Sequence, residues 1–147
     1  MQARYSAATI LMDPEQTAYD ELYAYTMGRP GFILQHVVDA RTAQRATEET
    51  RPMALFFALA GLLLHVERGF SGHQVQRVHM LLAKQQRQYP HIPLPASKGG
   101  IGPADVLAAA AGPARDAAID RWCRSVWEGF RASRDTVAEF LRQCDIG

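Results

Sequence analysis

His36 and Asp39 stand three residues apart, a spacing that projects an imidazole and a carboxylate from one face of a helix. Such a pair can share a proton or a metal ion. His65 closes an apolar run, and Gly61, one turn before it, leaves space beside its ring. A helical bundle can set His65 opposite the first two, which makes His36, Asp39 and His65 a candidate three-ligand site for a divalent metal ion, with an open position for water or substrate. In an enzyme built on them, Asp39 or His36 is the general base and His65 binds or orients the substrate. Against this stands a structural reading: His36 flanks an apolar stripe, Asp39 pairs with Arg41 or another arginine, and His65 is a satisfied boundary histidine.

Other reactive residues carry less. Glu67 falls in the last turn of a helix, where the macrodipole disfavours an acid, so a basic partner such as Arg68 is expected to offset it. It lies two residues from His65, on a different face. Trp122, Trp127 and Phe130 can line a pocket, but aromatics at helical spacing fit a core equally well. Arg77, Lys84, Arg87, His91 and Lys98 read as a solvated basic face, without the aromatic interleaving of a nucleic-acid surface. His73 and His79, six apart, share no face. No nucleophile elbow, H-E-x-x-H pair, dinucleotide fingerprint or phosphate-binding loop occurs.

The elements that position these residues read as helices throughout. Asp13-Pro14-Glu15 combines an N-cap, a first-turn proline and an early acid, and starts a helix running to about Thr26 that buries Tyr19, Leu22 and Tyr23. Pro30-Gly31 opens a second, with an apolar stripe of Ile33, Leu34, Val37, Val38 and Ala40 and with Arg41, Gln44 and Arg45 beyond it. Thr50 caps a third, apolar all round to Leu64 and ended by Gly69, which places it at the centre of the bundle. Ser71 caps a fourth, with core face Val75, Val78, Leu81 and Leu82, ended by Pro90. Residues 89–102 hold three prolines and three glycines and form a long loop. A short helix follows from Pro103 to Ala111, then one long helix from Ala114 to Gln143. Residues 1–12 are unpatterned and expected to be loosely ordered, and no strand-like alternation competes.

The 147 residues suit one domain, and a hydrophobic fraction of 48% with 21% charged residues is that of a folding chain. A net charge of +1 supplies no field for nucleic acid or anionic lipid. The longest apolar run, Met53 to Leu64, is too short to span a membrane, and no secretory signal is visible. Cys123 and Cys144 lie on one predicted straight helix, about 30 Å apart, so they stay reduced, which fits a cytoplasmic protein.

Four ordered motifs carry a resemblance. Val38-Asp39-Ala40, preceded by His36 and followed by Gln44, comes first, and the helix end Leu64-x-x-Glu67-x-Gly69 second. Ala104-Asp105-Val106-Leu107-x-Ala109 and Trp122-Cys123-x-x-Val126-Trp127 follow. Together they resemble a family of uncharacterised bacterial proteins classed as a domain of unknown function, over roughly Tyr19 to Leu141. The resemblance implies an all-helical fold and adds Gln44, Glu67, Asp105 and Trp127 to His36 and Asp39 as candidate site residues. Two departures stand out. Arg41 and Arg45 replace that family's tyrosine and second histidine, and a cysteine pair often found near its N-terminus is missing from residues 1–18.

The sequence therefore predicts an all-α, single-domain bundle of five to six helices around a central apolar helix. A polar site between the second and third helices binds a metal ion or small molecule, through His36, Asp39, Gln44, His65, Glu67, Asp105 and Trp127. The competing class is an interaction or homo-oligomeric module that uses an exposed helix face and has no ligand site.

Overall fold

The computed structural model describes residues 13–146, so the expectation for residues 1–12 lies outside the described part. Among the described residues there are seven α-helices and no strand: α1 (Pro14–Thr26), α2 (Leu34–Gln44), α3 (Pro52–Arg68), α4 (Gly72–Gln85), α5 (Pro103–Leu107), α6 (Pro113–Gly129) and α7 (Arg134–Gln143). None is long and apolar enough to cross a membrane.

Local chemistry accounts for most of the ends. The Asp13 side chain accepts from the backbone N–H groups of Glu15 and Gln16 and starts α1. Ser71 and Gln74 form a reciprocal capping box on α4, and Gly69 ends α3 in the left-handed region at φ 70°. Thr50 does not cap α3; its hydroxyl accepts from the Thr47 backbone instead.

Three differences from the sequence pattern matter. The expected long last helix is two, because Phe130 and Ser133 leave helical geometry around a 3-10 turn at Arg131–Ser133. At Gly129, the last residue before the break, the long loop passes so close that a Cβ would stand 2.5 Å from the Ser97 carbonyl oxygen. The turn sends α7 back against α3, and the count rises to seven. Second, α4 stops at Gln85, where Gln86 takes a left-handed conformation well before Pro90. Third, the centre is shared. α2 and α3 pack on each other; α2 also touches α1, α4 and α6, and α3 also touches α4, α6 and α7. Met53 of α3 is 48% exposed.

Because α2 has neighbours on several sides, its polar residues turn inward. His36, Val37, Asp39, Ala40, Arg41 and Ala43 are its buried residues, while Ile33, Leu34 and Val38 of the expected stripe are only half-buried. α2 meets α3 tightly at Gly61. A Cβ there would collide with the Asp39 carboxyl and lie 3.1 Å from Val75 Cγ1, so the carboxyl occupies the volume a side chain would fill.

Gly61→Ala should therefore lower stability by about 3 kcal/mol in urea unfolding, at the upper end of overpacking costs. This is despite alanine being the better helix former by about 1 kcal/mol. A neutral or stabilising effect would show that α2 and α3 separate without penalty.

Candidate functional site

Where α2, α3 and α6 meet, His36 and His65 stack face to face, ring centroids 3.6 Å apart and planes 17° from parallel. His65 is held at both nitrogens. Nδ1 lies 3.1 Å from the Phe70 carbonyl oxygen and Nε2 lies 2.9 Å from Asp120 Oδ1. A carbonyl can only accept, so the contact with Phe70 makes Nδ1 the donor. Gly69 in its left-handed turn brings the Phe70 carbonyl back to the ring. Asp120, on α6, has a side chain 56% exposed and marks the rim.

His36 is the opposite case. Its residue is 5% exposed, and its ring makes no hydrogen bond among the described residues. Burial, then the neighbouring His65, pushes its imidazole down to about 4, so it is neutral near pH 7. Its backbone carbonyl accepts a weak bond from the Cys123 thiol, Sγ at 3.7 Å. Burial raises that thiol far above its usual range, with Asp120 and then Asp39 adding to the effect.

Asp39, one turn along α2 from His36, is buried against Gly61. Oδ1 accepts from Gln35 Nε2 at 3.0 Å, and Oδ2 is the one fully buried side-chain oxygen or nitrogen without a partner among the described residues. Burial raises its carboxyl well above the usual range, against the opposing bond from Gln35. An uncharged acid is the form this surrounding tolerates.

The structure thus brings His36 and His65 together, sets Asp39 one turn along α2 against Gly61, and adds Asp120, Cys123 and Gln35, which the sequence did not single out for a site. Asp120 gave no signal beyond being an acid one residue from the apolar face of α6. The arrangement does not converge like a metal cage. Among the described residues no group of three or more His, Cys, Asp or Glu side chains is placed to hold a metal ion. Stacked rings aim their lone pairs along parallel planes, and both nitrogens of His65 are engaged.

The other candidates lie elsewhere, built into joints. Gln44 accepts from Trp122 Nε1 at 3.0 Å and donates to the carbonyls of Lys98 and Ile101, tying the long loop to α2 and α6. Glu67 accepts from Trp127 Nε1 at 2.7 Å and from two nitrogens of Arg134, the nearer at 2.8 Å. Its partner is therefore Arg134, and it joins α3 to α6 and α7. Asp105 accepts from the Gly102 backbone at the start of α5. Trp122, Trp127 and Phe130 are core.

Residues 16–131 match the family of unknown function DUF5946. The chain belongs to that family. No curated protein and no solved structure matches it. The DUF5946 match takes in every candidate residue from His36 to Trp127 and stops short of Arg134, the partner of Glu67.

The two buried groups load stability in opposite directions with pH. His36 titrates near 4 when folded and near 6.5 when unfolded, so its contribution is complete above pH 6.5 and is lost as pH falls towards 4, about 3 kcal/mol in all. Asp39 keeps its proton folded after the unfolded chain has ionised above 3.8, so it removes stability as pH rises past that point. Urea midpoints taken between pH 4 and 6.5 should fall or stay flat with rising pH in His36→Phe and rise in Asp39→Asn. Parallel curves for the two variants would contradict this assignment.

Proposed function

We propose that this chain is a small-molecule-binding protein whose site is built on the His36–His65 stack, with Asp120 at its rim. The observation that carries the reading is the asymmetry within the stack. One imidazole is locked at both nitrogens by Phe70 and Asp120, while the other is neutral and keeps its ring free of hydrogen bonds among the described residues. A neutral imidazole offers one donor and one acceptor. That pattern suits an amide, hydroxyl or heterocyclic group, and the fixed His65 holds the receiving ring in place. The cost of burying Asp39 with an orphan oxygen supports a functional origin for the junction, since well-packed apolar residues would be more stable there.

The alternative class, an interaction module, has one feature in its favour: α3 and α4 expose Met53, Met80 and Leu81, with Met80 57% accessible. Metal binding is a third outcome and would need the stack to open so that a ring nitrogen and Asp39 turn to a common point.

The test follows the histidine ring signals of isotope-labelled protein by NMR while small amides, alcohols and heterocycles, and separately zinc chloride, are added. The reading predicts that some of the organic probes shift the His36 and His65 signals and raise the melting temperature, and that both effects vanish in His36→Phe. Organic probes without effect, or equally effective on the variant, would overturn it. Stoichiometric zinc uptake abolished by His36→Phe would replace it with a metal site, and a concentration-dependent mass alone would favour the interaction module.

A further inference from the structure

Arg41 is buried to 9% exposure in the last turn of α2, and none of the ion pairs among the described residues includes it. Its guanidinium donates to Gln16 Oε1 at 2.9 Å and lies over the Tyr19 ring, 4.8 Å from the centroid. A guanidinium has five N–H donors, so among the described residues most of the fork is unspent. Gln16 passes its own amide hydrogen on to Asp20 at 2.8 Å, which leaves that acid one side chain removed.

The nearby charges do not complete the site. Burial, then Arg45 one turn along the helix, disfavours the charge on Arg41, and Tyr19, Glu15 and Asp13 oppose this more weakly. Asp13 is committed to capping α1. Glu15 directs its carboxylate towards Gly102, where an added Cβ would stand 3.1 Å from Oε1. Residues 1–12 contain no Asp or Glu, so they hold no carboxylate for Arg41. The negative end of the α2 dipole favours a cation here but satisfies none of its N–H groups. Among the described residues Asp39 Oδ2 is the one fully buried side-chain polar atom without a partner, so with respect to these residues the unspent N–H groups of Arg41 are not sealed in the core.

We propose that Arg41 and Arg45 form a subsite for a small oxyanion, the carboxylate or phosphate group of a ligand, between the start of α1 and the end of α2. An oxyanion there takes the open edge of the planar fork in two parallel hydrogen bonds, with Arg45 as a second, exposed charge. The subsite is independent of the histidine junction, because positions 36 and 41 point in different directions on a helix.

Melting temperatures measured with sodium phosphate and with sodium acetate, each against sodium chloride at matched ionic strength, test this. Phosphate is expected to raise the wild-type value by several degrees and to saturate, with a smaller shift in Arg45→Gln and none in Arg41→Gln. An equal response to acetate identifies a carboxylate as an acceptable group, and a response to phosphate alone identifies a phosphate ester; either supports the subsite. A wild-type shift no larger than that of sodium chloride, or one of equal size in Arg45→Gln, overturns it. If Arg41→Gln does not fold, the Nε–H signal of Arg41 in the wild-type protein decides: it moves on phosphate and not on chloride if the proposal holds, and stays still if it fails.

Discussion

Asp39 sits in the space that Gly61 leaves open, and much of the fold follows from that contact. The carboxyl takes the place of a side chain on α3, with Val75 of α4 against the same point. One turn towards the C-terminus of α3 and one turn towards the N-terminus of α2, the same packing brings His65 over His36. The stack is thus a consequence of the close crossing, and Asp120 of α6 completes it from the third side. A bulkier residue in place of Gly61 would separate the helices and the rings together.

Around this crossing, polar side chains act as joints. Gln44 fastens a loop that would otherwise be long and free, while Ser125 holds the Gly100 backbone at 3.2 Å from below. Glu67 collects the ends of three helices through an indole and a guanidinium. Gln44 and Glu67 lie within the stretch matched by DUF5946. His65 also ties the α3–α4 connection at Phe70 and reaches Asp120 of α6, but the ring of His36 stacked on it makes no hydrogen bond among the described residues.

Much of the helical layout was legible because it rests on local chemistry: the Asp13 and Ser71 caps, the Gly69 terminus and the prolines opening α1, α3, α5 and α6. That α2 and α3 face each other through His36, His65 and the Asp39–Gly61 contact was also suggested by spacing and by Gly61. What was not legible depended on tertiary neighbours. A three-and-four apolar spacing continues through Phe130, where the helix nevertheless breaks beside the loop packed on Gly129. The inward turn of His36, Asp39 and Arg41 defeats an amphipathic reading of α2, because a helix contacted on several sides has no single apolar face. Asp120 was invisible because its role comes from a residue fifty-five positions away.

The most direct measurement is a double-mutant cycle on the crossing, combining Gly61→Ala with Asp39→Ala and reading stability by urea unfolding. The methyl group introduced by Gly61→Ala would fill the volume the carboxyl vacates, so the double variant should be more stable than Gly61→Ala alone, with a favourable coupling of about 2 kcal/mol. Additive losses would contradict the account, because they would mean that Asp39 and Gly61 do not share the space on which the α2–α3 crossing and the histidine stack depend.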